Sequence, residues 1–147
     1  GKPSVKAKRL CDVTYECLMR GIDVVKPGAY FGDIGAAIED VAHHYGYSIV
    51  DMFCGHGLGK VFHDEPNVMH CGKKGSGPRI EEGMFFTIEP MINFGKKDAT
   101  ILANEWTAVT KDRSLSAQFE HSLGVTKDGA EVFTFSPKGL HQPPYKK

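Results

Sequence analysis

Residues 83–91 read Gly-Met-Phe-Phe-Thr-Ile-Glu-Pro-Met, an apolar strand pattern that carries one carboxylate, Glu89. Alternation along a strand places Phe86 and Ile88 on one face and Thr87 and Glu89 on the other, with large apolar side chains on both faces. Both faces are therefore expected to be at least partly buried, and Glu89 is expected to point inward. Because an unpaired buried carboxylate is costly, this strand predicts a cation or a donor beside Glu89.

Two further stretches each place one metal-type ligand in a similar apolar or glycine-rich frame. Residues 54–59 read Cys-Gly-His-Gly-Leu-Gly and hold His56 between two glycines. Residues 116–121 read Ser-Ala-Gln-Phe-Glu-His and hold Glu120. Strand alternation puts Phe119 on the apolar face, so Glu120 is expected to face away from the core, into a polar cleft.

Each of these ligands also has an ordinary structural explanation. A lone Glu in a strand is usually exposed, and a lone His between glycines is more often a turn residue. The combination of His56, Glu89 and Glu120, with a second histidine at His63, favours a metal site over coincidence. One imidazole and several carboxylates suit Mn, Fe, Co or Zn, and the spacing does not choose among them.

Longer runs around these ligands resemble a known enzyme family. The runs are CGHGLGKVFHDEPNV at 54–68, GMFFTIEPM at 83–91, WTAVTKDRSLSAQFEH at 106–121 and GVTKDGAEVFT at 124–134. In order and in spacing they resemble the type I methionine aminopeptidases of bacteria. The resemblance covers about residues 8–136, which is nearly the whole chain.

The resemblance implies a centre with two divalent metal ions per complete site. In that centre His56 and Glu89 would bind one ion, and Glu120 would bridge both. Glu89 is also the implied general base, and His63 the residue that contacts the substrate and stabilises its carbonyl oxygen during the reaction. Co, Mn, Fe and Zn are all compatible with this donor set.

The resemblance also implies a substrate and a reaction. Phe62, Met91 and Trp106, together with His63, match positions that bind the substrate and wall its methionine pocket. The implied reaction is removal of the N-terminal methionine from nascent proteins, through attack by a hydroxide that two metal ions activate. One local departure is Asn104-Glu105, where the family usually has Asp-Gly before the tryptophan.

The family centre uses five protein ligands, and this chain lacks two of them. The missing pair are aspartates on strands that precede the position of Gly1, together with another active-site histidine. The chain is therefore expected to be the C-terminal half of a catalytic domain over residues 1–136, followed by an extended tail over 137–147. Its implied partner is the missing N-terminal half, and activity of the chain alone is left open.

Helical spacing of apolar residues predicts two amphipathic helices, over residues 5–25 and 33–45, with Gly46 as a C-terminal cap. Short antiparallel strands are predicted after them. These strands span residues 47–52, 59–62, 84–93, 106–110, 117–126 and 131–134. Helices before strands favour the α+β class, and the resemblance implies the pita-bread fold, in which helices pack outside a curved antiparallel sheet.

Composition excludes several classes of function. Lysine plus arginine balances aspartate plus glutamate at 18 each, so no basic surface predicts nucleic acid or membrane partners. No apolar run approaches the length of a membrane span. A chain of 147 residues and 41% hydrophobic content does not need disulfides between its four cysteines, so reduced thiols and a cytoplasmic location are expected.

Three other interpretations were weighed against the metallopeptidase. A structural zinc module would use the five residues Cys54, His56, His63, His70 and Cys71, but the paired CxxC spacing of such modules is absent. A catalytically incompetent fragment or pita-bread binding module remains open, although such relatives lose ligands that are kept here. A proline-specific pita-bread peptidase shares the ligands but matches the runs less well. Type II methionine aminopeptidases carry a helical insertion between the two glutamates, and the 31 positions from Glu89 to Glu120 leave no room for it.

Overall fold

The computed structural model describes residues 2–144 of the chain. Within them, two helices, α1 (Val5–Asp23) and α2 (Phe31–His44), are followed by ten short strands. The strands are β1 (Ser48–Ile49), β2 (Gly55–Gly57), β3 (Asp64–Val68), β4 (Phe85–Ile88), β5 (Met91–Asn93), β6 (Ala99–Ile101), β7 (Ala108–Thr110), β8 (Ser116–Gln118), β9 (His121–Val125) and β10 (Ala130–Val132). This order, helices first and strands after, confirms the predicted α+β class.

Both predicted helices are confirmed, with ends that differ from the prediction by no more than two residues. Their apolar faces pack against each other, and a Cβ atom on Gly21 would lie only 3.0 Å from Ile38 Cδ1. Gly46 has a φ of +72°, as expected for a residue that ends a helix in the left-handed region. Gly21 therefore allows close helix packing, and Gly46 directs the chain from α2 towards the sheet.

All the strand pairs are antiparallel. One sheet has the order β10-β9-β4-β2-β3, a second has the order β1-β5-β8, and β6 pairs with β7 in a separate hairpin. Helix α1 contacts β4, β5 and β8, while α2 contacts β1 and β3. The hydrophobic core lies between the two helices and these strands.

The two larger sheets meet where β4 leads into β5 and β8 leads into β9. Ile88 pairs with His121 before the break, and the register of the two strands is unchanged beyond it. Glu89 and Glu120 therefore lie opposite each other in the break between the paired segments. Directly opposite residues of an antiparallel pair have Cβ atoms about 5 Å apart, so the unchanged register brings the backbones of these two residues near each other.

Several predicted strand boundaries are wrong. The strands predicted over 84–93 and 117–126 are each interrupted near Pro90, which has no amide proton to give to a ladder. The strand predicted over 59–62 is a turn, and β2 and β3 pair on either side of it. Strands β2, β3 and β6 were not predicted. The other predicted strands are confirmed as shorter segments, with β8 and β10 beginning one residue before the predicted start.

The chain after β10 returns to the first helix. The Ser136 amide donates a hydrogen bond to His141 Nδ1 at 3.0 Å, and the Tyr15 hydroxyl of α1 donates to Gln142 Oε1 at 3.3 Å. Of the predicted tail, residues 137–144 are described, and residues 145–147 lie outside the described part. No helix within residues 2–144 is both long and apolar enough to cross a membrane.

Candidate metal centre

An open cleft of about 450 Å³ lies beside the break between the two sheets. Its lining includes His56, His63, Glu89 and Met91, which are four of the predicted site residues. The Cys54 thiol also lines it, and burial, with the charges of nearby carboxylates, raises the pKa of that thiol. The cleft thus combines a polar floor of imidazole and carboxylate groups with a thioether wall.

His56 is 8% exposed at the centre of β2. Its neighbours must be glycines, because a Cβ on Gly55 would collide with the Thr87 carbonyl and one on Gly57 with the Glu65 carbonyl. His56 Nδ1 lies 3.0 Å from the Gly57 carbonyl oxygen, which favours the tautomer with the proton on Nδ1. The lone pair of Nε2 is then free to bind a metal ion.

His56 Nε2 faces Glu89 Oε1 at 3.7 Å. This distance is too long for a direct hydrogen bond. Two donor atoms that each lie about 2.1 Å from one ion are separated by roughly 3 to 4 Å. The pair of donors, imidazole and carboxylate, therefore fits a shared divalent ion by chemistry and by spacing.

Glu89 lies at the end of β4 with 15% of its side chain exposed. The Thr87 hydroxyl donates to its Oε1 at 2.8 Å, and Gln118 Nε2 lies 3.3 Å from its Oε2. Burial raises the pKa of the Glu89 carboxyl group, the Thr87 hydrogen bond opposes this rise, and the charge of Glu120 adds to it. The carboxylate is thus held in one orientation while its charge is only partly compensated.

Glu120 is exposed and the adjacent His121 is 2% exposed, as strand alternation predicted. The charge of Glu120 raises the pKa of Glu89, which agrees with the position of Glu120 opposite Glu89 in the strand register. Across residues 2–144, however, no three His, Cys, Asp or Glu side chains come close enough to hold an ion together. The described residues supply the His56–Glu89 pair with Glu120 beside it, and not a closed set of ligands.

Two aromatic side chains stand at the mouth of the cleft, in the turn between β2 and β3. The ring centroids of His56 and His63 are 4.4 Å apart, those of Phe62 and His63 4.7 Å, and those of His56 and Phe62 5.4 Å. Phe62 is 72% exposed. These two predicted substrate-binding residues therefore lie directly over the candidate ligand His56.

Trp106, like Phe62 and Glu120, is a predicted site residue that does not line the cleft. It is 87% exposed and lies in the turn between β6 and β7. The turn itself is ordered by Asn104, whose side-chain oxygen accepts the amides of Trp106 and Thr107 at 3.2 and 2.9 Å. Glu105 has a φ of 58°, so it adopts the conformation for which the family's glycine is suited.

Sequence reasoning missed three residues that contact Glu89, namely His70, Thr87 and Gln118. His70 is 2% exposed, and its Nε2 accepts the Glu89 amide at 3.0 Å. Burial lowers the pKa of His70 to about 4, so its ring is neutral at pH 7. Strand alternation puts Thr87 on the face of Glu89 and Gln118 on the face of Glu120, whereas His70 left no signal in the sequence.

The five residues of the zinc-module interpretation do not converge. The acceptor nitrogen of His70 is used by Glu89, and Cys71 lines a different, smaller cavity with Glu39 and Asp51. The other three, Cys54, His56 and His63, line the main cleft.

Residues 1–127 match the sequence profile of metallopeptidase family M24. The chain belongs to this family. It is 56% identical over 147 residues to the methionine aminopeptidase of Rickettsia prowazekii (strain Madrid E), a match that covers 99% of this chain and 56% of that protein. A methionine aminopeptidase A of Synechocystis sp. is 54% identical and covers 91% of this chain and 53% of its own length.

Solved structures give the same result for the fold. The crystal structure of methionine aminopeptidase from R. prowazekii aligns with a TM-score of 0.90 at 53% identity, over 91% of this chain and 54% of that one. Prolidase from Pyrococcus furiosus aligns with a TM-score of 0.71 at 22% identity, over 92% of this chain and 34% of that one, and shows the fold alone. The pita-bread fold is confirmed. The chain spans about half the length of the methionine aminopeptidases it matches.

Proposed function

We propose that this chain supplies three metal ligands and part of the substrate pocket of a methionine aminopeptidase. His56, Glu89 and Glu120 would hold two divalent ions in the complete site, with Co, Mn, Fe and Zn as candidates. The observation that carries the proposal is the approach of His56 Nε2 to Glu89 Oε1 at 3.7 Å. Ions held there would activate a water molecule as the nucleophile and polarise the scissile carbonyl group.

Glu89 and His63 would move and hold protons. Burial raises the pKa of Glu89, which makes its carboxylate a better proton acceptor near neutral pH. Glu89 would accept a proton from the nucleophilic water. His63, whose ring lies against that of His56, would donate a hydrogen bond to the substrate carbonyl oxygen as negative charge develops on it.

The substrate would be a nascent peptide with an N-terminal methionine followed by a small residue. Phe62 and Met91 offer an aromatic and a thioether surface, which suit an unbranched thioether side chain, and Trp106 would complete the pocket from the β6–β7 turn. The identity to methionine aminopeptidases, 53–56%, is more than twice the 22% found for prolidase. This difference supports methionine over proline as the recognised residue.

The remaining ligands would come from a complementary N-terminal half, with residues 1–136 as the C-terminal half of the catalytic domain and 137–147 as its tail. The balance of 18 basic and 18 acidic side chains argues against a nucleic acid or membrane partner, and the proposed location of the enzyme is the cytoplasm.

The proposal is tested by combining the chain with the segment of the R. prowazekii enzyme that this chain does not match. In the presence of Co²⁺ or Mn²⁺, peptides beginning Met-Ala should be hydrolysed, and those beginning Leu-Ala should not. His56→Ala should abolish the reaction, whereas His43→Ala, on the exposed face of α2, should leave it unchanged. Equal rates on both peptides would contradict the specificity, and activity in the His56→Ala variant would contradict the site.

A further inference from the structure

A single hydroxyl group connects the two closest candidate ligands. Thr87 is 1% exposed in β4, and its Oγ1 accepts the backbone amide of His56 at 2.9 Å. The same Oγ1 lies 2.8 Å from Glu89 Oε1. A hydroxyl has one proton, and the other acceptor, the His56 carbonyl, lies farther away at 3.5 Å. The proton therefore goes to the Glu89 carboxylate, where the bond is shorter and charge-assisted.

Backbone pairing holds β2 against β4 through the Leu58 amide, which donates to the Phe85 carbonyl at 2.8 Å, and the Thr87 hydroxyl adds a bond at His56. Strand β2 pairs with β4 through Gly57, which lies opposite Phe86. The His56 amide donates to the Thr87 side chain and not to a backbone carbonyl of β4. Thr87 is β-branched, and its stiff χ1 angle sets the direction of the hydroxyl. The absence of a Cβ on Gly55 lets β2 approach the Thr87 backbone closely.

We propose that Thr87 is a positioning residue that sets the separation of His56 and Glu89 for a shared divalent ion. The inference rests on the proposed metal site and assigns it a supporting group. The hydroxyl bonds to the backbone of one ligand and to the carboxylate of the other, so removing it takes one hydrogen bond from each ligand at once. Loss of such supporting hydrogen bonds typically weakens metal binding by about 10- to 100-fold.

The test is an NMR titration of the chain with Co²⁺ that follows the ring signals of His56. Thr87→Val keeps the shape and removes the hydroxyl, and it should weaken Co²⁺ binding by about 10- to 100-fold. Thr87→Ser keeps the hydroxyl and should bind Co²⁺ within about threefold of the parent. Thr110→Val is the matched control, since Thr110 is also a largely buried strand residue. Its hydroxyl donates to the Ser114 carbonyl at 2.8 Å, and neither residue lines the cleft. It should leave Co²⁺ binding unchanged.

The melting temperature of each metal-free variant separates positioning from a general effect on the fold. Thr87→Val and Thr110→Val should both lower it modestly, while only Thr87→Val should alter Co²⁺ affinity. Parental affinity in Thr87→Val would overturn the inference and leave the proposed function standing. Failure of the parent chain to bind Co²⁺ at His56 would overturn the inference, and failure of the chain combined with the complementary R. prowazekii segment to bind it there would overturn the proposed function as well. If Thr87→Val does not fold, Thr87→Ala replaces it, and if neither folds the hydroxyl serves the fold and the inference is wrong.

Discussion

Glu89 has its backbone and its carboxylate held by three different neighbours. Thr87 and Gln118 contact the carboxylate, while the neutral ring of His70 accepts the backbone amide. Pro90 ends the ladder directly after Glu89, so without His70 that amide would have no partner in the sheet. The break in the strand makes room for a carboxylate in the cleft, and these side chains replace the interactions that the ladder would have made.

Replacement of His70 by leucine should therefore destabilise the fold. Leucine fills a similar volume but has no acceptor nitrogen for the Glu89 amide. The unpaired amide should lower the unfolding free energy by about 1–3 kcal/mol. Urea denaturation followed by circular dichroism would measure the difference. The matched control is His43→Leu on the exposed surface of α2, which should change stability by less than about 0.5 kcal/mol. Equal effects of the two substitutions would show that the His70 contact is not important for stability.

The sequence predicted candidate site residues, of which His56, His63, Glu89 and Met91 line the cleft, but it did not predict their contacts. Strand alternation placed Glu89 inward and Glu120 outward, and the resemblance assigned His56 and His63. The contacts of His70 and Gln118 depend on how strands distant in sequence align, and no local pattern encodes that alignment. This is why His70 was left without a role.

At the scale of single elements, the start of α2 is held by one carboxylate. Asp33 Oδ2 accepts the Tyr30 amide at 2.8 Å, and Asp33 Oδ1 accepts the Gly75 amide at 2.7 Å. These two hydrogen bonds hold the pKa of the Asp33 carboxyl group below its usual value of 3.8. Asp33 thus joins the first turn of the helix to the loop that precedes β4.

Asp33→Ala should lower the unfolding free energy at pH 7 by about 1 kcal/mol, as loss of a helix cap typically does. Since the pKa of Asp33 is lower in the folded than in the unfolded state, its stabilisation is present above pH 3.8 and is lost as the pH falls through the folded value. The difference between variant and parent should therefore shrink below about pH 4, measured by denaturation across pH. Asp40→Ala, on the exposed face of the same helix, is the control and should change the unfolding free energy at pH 7 by less than about 0.5 kcal/mol. A constant difference down to pH 2 would contradict the assignment.

The turn between β6 and β7 contains a local strain that can be removed. Glu105 has a φ of 58°, a conformation that costs a residue with a Cβ about 1 kcal/mol relative to glycine. Glu105→Gly should therefore raise the unfolding free energy by roughly 0.5–1 kcal/mol, seen as a higher melting temperature. Lys111→Gly, at a nearby turn position without positive φ, should not stabilise the chain. A lower melting temperature for Glu105→Gly would show that the Glu105 side chain makes a compensating contact.

The elements themselves were predicted with uneven success for a physical reason. The helices α1 and α2 have long apolar periodicities, and their ends fell within two residues of the prediction. The strands are mostly three to five residues long, so a single proline or glycine changes their limits. The turn at 59–62 was predicted as a strand because Val61 and Phe62 are apolar, but both are exposed and their backbone is not paired.

At the scale of the whole molecule, the described residues share one apolar core but bring only one pair of candidate ligands close together. The two helices and the sheets bury a single apolar cluster, yet the candidate centre has one close ligand pair with Glu120 beside it. Phe62 and Trp106, two of the proposed pocket residues, are 72% and 87% exposed. A complementary half that contributes the remaining ligands would also cover these side chains, in agreement with relatives of about twice the length.

Calorimetric titration of the chain alone with Mn²⁺ or Co²⁺, combined with a methionyl-peptide assay on the same sample, tests the central claim most directly. Because the proposed function gives the chain three of the five ligands that the resemblance implies, the chain should bind divalent metal weakly, at no more than one site, and should show little or no peptidase activity. Each missing carboxylate removes charge that offsets the dehydration of the cation, and activation of the nucleophile requires both ions. Two tight sites, or rapid turnover that Glu120→Ala abolishes, would contradict this account and show that the chain completes the centre from its own residues.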